Sequence, residues 1–314
     1  MMLDALGWQP TAPLERLNLP WLQEAGVEVA ILRLDLIDAL ISGNKWFKLS
    51  EHLSLAVDAG AEGLISLGGA HSNHLHALAA AGKRFGFPTV GLLRGHAQQT
   101  PTVLDLQAFG MQLHWLGYAG YRQRHAAGFW SPWQARYPGL YPIAEGGGGL
   151  AGASGCGRLR TMLDEQLAHL GWDDYHGWWL AAGTGTTLAG LLLAEAGARP
   201  VYGAMAVPEG HGIAQNIMAV LNEAAGAQAD IAHCLPPTCV LFDASRGGFA
   251  RTDAALLGFI ADSEAQSGVP LEPLYTGKAL LALHDEVLAG RFEPGTRLVF
   301  VHTGGLQGRR AMGL

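Results

Sequence analysis

Short apolar runs alternate with amphipathic segments along most of the chain, and this alternation predicts strands followed by helices. Strand-like runs are found at 27–36, 64–67, 89–94, 111–116, 177–182, 201–207, 240–243 and 297–302. Helical spacing of apolar positions is found at 72–85, 102–109, 158–170, 187–196, 212–224, 253–266 and 277–289. Strands that alternate with helices favour parallel sheets with right-handed crossovers, so the pattern predicts α/β architecture.

Four consecutive glycines, Gly146–Gly149, separate the elements into two series. A run of this kind is typical of a flexible connection, and we interpret it as lying near a domain boundary. Parallel sheets bind ligands where the carboxyl ends of strands meet the amino ends of helices. A ligand site is therefore expected in the cleft between two α/β units.

Composition narrows the classes of function. The 314 residues are 49% hydrophobic and 15% charged, which suits a large core, and the net charge of −7 without a long basic run disfavours nucleic-acid binding. The apolar stretches are broken before the roughly 18 residues that a membrane span needs, and residues 1–20 lack a secretory pattern. We expect a soluble, cytoplasmic protein with no membrane partner and no metal site, in which Cys156, Cys234 and Cys239 are buried thiols.

A loop rich in glycine and threonine, Gly183-Thr184-Gly185-Thr186-Thr187, follows an apolar strand and opens a helix. Free backbone N–H groups and the helix dipole favour an anion at such a position, and the threonine hydroxyls add donors. A phosphate monoester is the natural ligand, although an ordinary strand-to-helix turn is the alternative interpretation.

A second glycine-rich loop, residues 68–74, also joins a strand to a helix and contains Ser72, Asn73 and His74. Ser72 or Asn73 can cap the helix, which would be a purely structural role. The functional alternative places a substrate carboxylate at the helix start and a ring hydroxyl on Asn73.

Lys45 lies in a tight turn, Ser42-Gly43-Asn44-Lys45, and is followed by Trp46 and Phe47. These aromatic neighbours predict burial of the segment, and a buried lysine loses its proton more easily and can form an imine. A reactive amine together with cradles for a ring and a phosphate predicts pyridoxal phosphate (PLP) as the cofactor.

Five segments in the same order along the chain resemble the 1-aminocyclopropane-1-carboxylate (ACC) deaminase/D-cysteine desulfhydrase family: 42–49, 68–74, 183–187, 273–278 and 302–305. The resemblance implies the tryptophan synthase β-like fold (fold type II), with two open, twisted, mainly parallel sheets flanked by helices. It further implies a larger PLP-binding domain of residues 1–48 plus 151–314, a smaller α/β domain of residues 49–150, and a homodimer.

The resemblance also assigns the cofactor contacts. Lys45 would hold PLP as an imine, and Lys48 would contact the phosphate together with the 183–187 loop. Asn73 would hydrogen-bond the ring oxygen, Thr276 would face the pyridine nitrogen, and Thr303 would lie in the carboxyl-terminal cofactor strand.

The substrate contacts implied by the resemblance come from the same segments. Ser72 would bind the substrate carboxylate or act as nucleophile or proton relay, with Asn73 and His74 beside it. Tyr275 would stand near the substrate amine and Cα. Phe249 occupies the position where the family often has a second active-site tyrosine.

Two positions indicate which reaction of the family to expect. Thr276 replaces the glutamate that ACC deaminases place opposite the pyridine nitrogen, and a threonine cannot stabilise a pyridinium strongly. Thr303 resembles the desulfhydrases, since deaminases have leucine there. The small-molecule substrate predicted is D-cysteine, converted by α,β-elimination to pyruvate, sulfide and ammonia.

Other interpretations stay open at the level of sequence. D-Serine or β-chloro-D-alanine could replace D-cysteine, and ACC deamination is the nearest alternative reaction. A PLP-binding homologue without turnover and a nucleotide-binding Rossmann protein with an incidental Lys45 are the remaining classes.

Overall fold

A computed structural model describes residues 2–226 and 234–312 of the chain. Its helices are α1 Met2–Leu6, α2 Pro20–Ala25, α3 Lys45–Asp58, α4 Asn73–Phe85, α5 Pro101–Ala108, α6 Gly117–Arg122, α7 Ser131–Arg136, α8 Gly149–Asp164, α9 Thr186–Glu195, α10 Ile213–Ala225, α11 Ala254–Ser267 and α12 Thr276–Leu288. Its strands are β1 Leu14–Arg16, β2 Glu28–Arg33, β3 Gly63–Gly68, β4 Thr89–Leu93, β5 Gln112–Trp115, β6 Leu140–Ile143, β7 Gly177–Ala182, β8 Val201–Met205, β9 Cys239–Asp243 and β10 Arg297–His302.

These strands form two open sheets. The larger sheet has the order β1-β2-β10-β7-β8-β9, in which β1 pairs antiparallel with β2 and the other pairs are parallel. The smaller sheet has the order β5-β4-β3-β6 with parallel pairing throughout. Strands β3, β4 and β7 are buried along their full length, as expected for parallel strands covered by helices on both faces. The predicted fold class, two mainly parallel sheets flanked by helices, is confirmed.

The two sheets draw on different parts of the sequence. Every strand of the smaller sheet lies between residues 63 and 143, and the larger sheet combines strands before residue 34 with strands after residue 176. This distribution agrees with the expected domains, whose boundaries remain a prediction.

The clearest departure from the predicted elements is α8, which begins at Gly149 rather than at residue 158. Glycine is a poor helix former, so the amino-terminal half of this helix gave no helical signal in the sequence. The small residues in this part of α8 allow neighbouring backbone to approach closely. A Cβ on Gly155 would stand 1.9 Å from the carbonyl oxygen of Phe47 on α3, so the two helix backbones touch.

The turn before α3 is held in place by contacts with the loop after β10, near the carboxyl end of the described chain. Gly43 has φ 81°, and a Cβ there would lie 2.3 Å from the carbonyl oxygen of Thr303. The backbone N–H of Asn44 donates to that oxygen at 3.1 Å, and the N–H of Gly43 donates to the oxygen of Leu34 at 2.8 Å. The loop after β10 thereby determines where Lys45, the first residue of α3, stands.

The cysteine prediction holds for two of three residues. Cys156 and Cys239 are buried, but Cys234, in the irregular segment before β9, is exposed. Within residues 2–226 and 234–312, no helix is long and apolar enough to cross a membrane.

Candidate active site

The predicted loops meet at the carboxyl ends of strands β3, β7 and β10. The Nδ2 of Asn44 donates to the Oγ1 of Thr187 at 2.8 Å, which joins the lysine turn directly to the 183–187 loop. A Cβ on Gly305, after β10, would lie 2.7 Å from the Nδ2 of Asn73, so the 68–74 loop reaches the same place. The structure therefore brings together the segments that the sequence singled out.

Lys45 stands in the cleft with an unusual electrostatic environment. The residue as a whole is half-buried, but its amine is surrounded by protein atoms. Burial lowers the pKa of the Lys45 amine well below its usual value, and repulsion from the Lys48 ammonium lowers it further. A larger share of this amine is therefore neutral and nucleophilic at any given pH than for an exposed lysine.

Uptake of PLP is expected to depend on this lowered pKa, because only the neutral amine can attach the aldehyde. Uptake by the apoprotein should stay at its plateau far below the pH at which an ordinary lysine loses its proton, and should fall only at lower pH as Lys45 becomes protonated. Lys48→Met removes the repulsion, raises the pKa of Lys45 and should move the midpoint of uptake to higher pH. The cofactor absorption band, followed across pH at saturating PLP, measures both; a midpoint that Lys48→Met leaves in place or lowers would contradict this.

Basic side chains cluster beside Lys45. Lys48 is buried, and its Nζ donates to the carbonyl oxygen of Gly146 at 3.4 Å. The ring of His52 contacts the carbonyl oxygen of Gly148 through Nε2 at 3.1 Å. Burial lowers the pKa of His52 and of Lys48. A bound phosphate would compensate the positive charge collected here.

His74 is a buried residue next to this cluster. Ser66 Oγ donates to the carbonyl oxygen of Ile143 at 2.8 Å, so it accepts from His74 Nε2, also at 2.8 Å. Burial and then the Lys45 charge lower the pKa of His74 well below its usual value, which leaves Nδ1 as an acceptor. That buried Nδ1 has no hydrogen-bond partner among the described residues, and the predicted substrate contact of His74 remains a prediction.

The four-glycine run forms part of this site. Gly147 is buried with φ 69°, and a Cβ there would lie 3.2 Å from Lys48 Cβ and 3.3 Å from His74 Nδ1. A Cβ on Gly146 would lie 3.4 Å from Thr184 Cγ2. The run spans a short 3₁₀ turn and the start of α8, so the interpretation of it as a flexible connection is wrong. Glycine is favoured at 147 because the backbone has a positive φ and Lys48 and His74 crowd the place of a Cβ.

The 183–187 loop has the features of a phosphate cradle. Gly185, with φ 79°, precedes the first residue of α9, and the hydroxyls of Thr184 and Thr186 lie 3.1 Å apart. A Cβ on Gly183 would lie 3.0 Å from the Tyr275 ring, so the loop also packs against the predicted substrate tyrosine. Free N–H groups at the start of a helix, beside buried lysines, fit an anionic ligand.

Ser72 and Asn73 have structural contacts as well as predicted roles. Ser72 Oγ accepts from the backbone N–H of Leu75 at 3.2 Å and caps α4, as the structural alternative required. Asn73 Oδ1 accepts from Gln307 Nε2 at 2.7 Å, a contact that the sequence did not indicate. Their catalytic and binding roles remain predictions.

Glu272 is a buried acid that the sequence reasoning missed. Its side chain is 1% exposed, and its Oε1 accepts from the backbone N–H groups of Tyr275 at 2.8 Å and Thr276 at 2.6 Å. Oε2 accepts from the N–H of Leu274 at 2.8 Å. Burial raises the pKa of Glu272, and these N–H groups oppose the rise. An acid four residues before Thr276, just ahead of a helix, is the available signal.

Tyr275 and Thr276 are both placed by this acid. Thr276 is fully buried; its Oγ1 accepts from the N–H of Glu272 at 3.0 Å and lies 3.2 Å from Glu272 Oε1. Burial raises the pKa of Tyr275, and the carboxylates of Glu272 and Glu145 raise it further, so its phenol keeps its proton.

Phe249 stands at the edge of the site, 46% exposed, with its ring centroid 5.8 Å from that of Tyr275. Its loop is held by Lys278, whose buried ammonium donates to the carbonyl oxygens of Ser245 at 2.8 Å and Gly248 at 3.2 Å. Lys278 is a second residue whose contact with the site the sequence did not reveal.

Comparisons with known proteins agree with this geometry. A family model described as pyridoxal-phosphate dependent enzyme matches residues 2–304. A putative ACC deaminase of Pyrococcus furiosus is 30% identical over 90% of this chain and 86% of its own length. A mitochondrial bifunctional D-cysteine desulfhydrase/ACC deaminase of Arabidopsis thaliana is 27% identical over 97% of this chain and 78% of its own. The crystal structure of an ACC deaminase homologue, 25% identical, superposes with a TM-score of 0.79 and covers 99% of this chain and 98% of that one.

Proposed function

Because this chain belongs to the family of pyridoxal-phosphate-dependent enzymes, within its ACC deaminase/D-cysteine desulfhydrase group, we propose that its reaction is the α,β-elimination of D-cysteine. One D-cysteine and one water give pyruvate, hydrogen sulfide and ammonia. Bound PLP supplies the electron sink that lets a substrate α-proton be removed. The observation that carries the proposal is the contact of Asn44 with Thr187, which sets the desolvated Lys45 beside the 183–187 loop.

Different residues of the cleft would bind different parts of the cofactor. Lys45 would hold PLP through its amine, and the same amine, when free, would accept the substrate α-proton. Lys48 and the amino end of α9 would hold the phosphate, and Gly147 leaves the space beside Lys48 free of a side chain. Asn73 would hold the ring oxygen.

The substrate lies between Ser72 and Tyr275. The amino end of α4, which Ser72 caps, binds the substrate carboxylate through free N–H groups. Tyr275 keeps its phenolic proton and donates it in a hydrogen bond near the substrate amine. Phe249 covers the outer edge of Tyr275 and limits the width of the site.

The choice of D-cysteine over ACC rests on Thr276 and Thr303, which replace the glutamate and leucine of the deaminases. The names of the relatives support both reactions, because one is a putative ACC deaminase and another is bifunctional. ACC deamination is therefore the second candidate function. Assembly as a homodimer and a cytoplasmic location are further proposals.

Substrate choice is tested by supplying D-cysteine, L-cysteine and ACC separately to the purified holoenzyme and measuring sulfide, pyruvate and 2-oxobutyrate. D-Cysteine is expected to give sulfide and pyruvate in equal amounts, with kcat/KM at least about tenfold above ACC, equivalent to about 1.4 kcal/mol. Lys45→Ala is the blank for uncatalysed release. Release of 2-oxobutyrate from ACC without sulfide from D-cysteine would establish the second candidate instead.

Ser72→Ala is expected to lower kcat/KM for D-cysteine by roughly 10²–10⁴-fold if the hydroxyl transfers a proton or binds the substrate. The same change removes the α4 cap and should lower the free energy of unfolding by about 1 kcal/mol. Ser72→Thr keeps a hydroxyl and a cap. Kinetics and urea denaturation of the three proteins separate the effects; a Ser72→Ala variant that is less stable but equally active would leave Ser72 as a cap alone.

A further inference from the structure

The side-chain amide of Asn73 begins at the first residue of α4, and the helix does not set its orientation. The χ2 torsion of asparagine is broad and roughly two-fold, so the oxygen and the nitrogen of the amide exchange places at little cost. Hydrogen-bond partners distinguish the two orientations. The role proposed for Asn73, donation to the ring oxygen of the cofactor, therefore needs a second group that holds the amide.

Gln307 is the residue that holds this amide. Its Nε2 donates to Asn73 Oδ1 at 2.7 Å. Within residues 2–226 and 234–312 this is the only side-chain hydrogen bond of Asn73, so its Nδ2 has no acceptor from the protein. Both residues are half-buried, and water competes with their contact less than it would at an open surface. Gln307 thus occupies the oxygen of the amide and leaves the donor free.

The free Nδ2 of Asn73 borders the cleft. A Cβ on Gly305, which has φ 86°, would lie only 2.7 Å from this nitrogen, so Nδ2 fills the space that a side chain at 305 would take. Two residues earlier, the carbonyl oxygen of Thr303 accepts from the backbone N–H of Asn44, beside Lys45. The unused donor therefore lies at the same strand end as the turn that places Lys45.

Gln307 lies in a short 3₁₀ helix, Leu306–Met312, which has anchors of its own. The N–H of Gly308 donates to the carbonyl oxygen of Gly305 at 2.8 Å. Arg309 donates to the carbonyl oxygen of Leu271 at 2.7 Å and forms an ion pair with Glu264. These contacts do not involve Asn73, so the Gln307 amide is presented to Asn73 by a turn that is already held in place.

We propose that Gln307 is a positioning residue for the cofactor, which holds Asn73 Oδ1 so that Nδ2 donates to the ring oxygen. A glutamine amide both donates and accepts, so Gln307 supports either orientation of Asn73. A negatively charged ring oxygen only accepts, and it selects the orientation that the structure shows. The proposal rests on the ring-oxygen contact given for Asn73 under the proposed function.

The absorption spectrum and the dissociation constant of bound PLP report on this contact without substrate. The long-wavelength band belongs to the cofactor with a negatively charged ring oxygen, which a donated hydrogen bond stabilises. Gln307→Leu should raise the dissociation constant roughly 3- to 10-fold, as for the loss of one hydrogen bond, and move part of the absorbance to shorter wavelength. Gln307→Glu, which only accepts when ionised, turns Nδ2 away from the ring and should move more of the absorbance than Gln307→Leu.

Arg310→Ala is the matched control in the same 3₁₀ helix. It removes an ion pair with Asp105 in which the arginine side chain is 51% exposed, and it leaves the Gln307 amide in place. Its spectrum and its dissociation constant for PLP should be those of the native protein. A shift in Arg310→Ala as large as that in Gln307→Leu would overturn the proposal, because a loosened helix would then explain both.

Asn73→Ala, alone and combined with Gln307→Leu, separates this proposal from the one on which it rests. Asn73→Ala should shift the band by itself, and Gln307→Leu should shift it no further in that background, because the amide that Gln307 holds is gone. A native spectrum in Asn73→Ala would reject the ring-oxygen contact itself. A shifted spectrum in Asn73→Ala with a native one in Gln307→Leu, or shifts that add in the double variant, would reject the role of Gln307 alone. These variants decide the question even if Gln307→Glu does not fold.

Discussion

Lys45→Ala is expected to abolish the long-wavelength absorption band of PLP-loaded protein and to lower turnover by a factor on the order of 10⁴ to 10⁶, as when a catalytic group is removed from other enzymes. The physical reason is that Lys45 supplies the amine whose pKa is lowered well below its usual value by burial and by Lys48. It is also fixed in the cleft by the turn that docks on Thr303. Absorption spectra and D-cysteine kinetics measure the two losses.

Two other lysines provide the controls for this result. Lys48→Met should keep the band but require more PLP to reach it, because its ammonium contributes to the phosphate site and does not itself carry the cofactor. Lys278→Met should keep the band as well, since Lys278 holds the Ser245–Gly248 loop and does not reach the cofactor. A full band and normal turnover in Lys45→Ala would mean that another amine carries the cofactor.

Gly155→Ala, on α8, is expected to lower the free energy of unfolding by about 3 kcal/mol or more. The added Cβ would stand 1.9 Å from the carbonyl oxygen of Phe47, so the backbone of α3 has to move away from α8. Against a typical total of about 5–15 kcal/mol this is a large fraction. Because α3 carries Lys45 and Lys48, PLP affinity should fall as well. Urea denaturation and PLP titration measure the two effects.

Gly157→Ala on the same helix is the matched control. Its added Cβ would meet its nearest atoms, Ala194 Cβ at 3.7 Å and the carbonyl oxygen of Gly190 at 3.8 Å, at ordinary contact distances. Alanine is the better helix former, so the free energy of unfolding should be unchanged or rise by up to about 1 kcal/mol. Equal stability of the two variants would contradict the close packing of α8 on α3.

The strands and helices that carry strong periodicity could be predicted from the sequence. The bounds predicted for β7 and β10, 177–182 and 297–302, are those of the structure. Both are buried strands whose apolar runs are bounded by polar or glycine residues, so local pattern and tertiary environment agree. The start of α8 could not be predicted, because glycine is a poor helix former and the reason for a glycine such as Gly155, its close contact with α3, exists only in the folded structure.

The candidate site divides in the same way. Lys45 and the 183–187 loop could be identified from local sequence. Lys45 is an amine in a tight turn, and the loop places glycines at the start of a helix. Glu272 and Lys278 could not be identified in this way, because their significance lies in contacts made after folding: one gathers the N–H groups that begin α12, and the other spans to the loop of Phe249. A charged residue in an amphipathic segment is ordinarily solvent-exposed, and only the tertiary structure shows these two buried.

The central claim is that PLP is attached to the Lys45 amine in the cleft between the two sheets. Reduction of the holoenzyme with sodium borohydride fixes the cofactor on whichever lysine holds it, and mass spectrometry of the peptides locates the added phosphopyridoxyl group. The expected result is a single modified peptide that contains Lys45, modified at that residue. Modification of Lys48 or Lys278 with Lys45 untouched, or a holoenzyme in which no lysine is modified, would contradict the account.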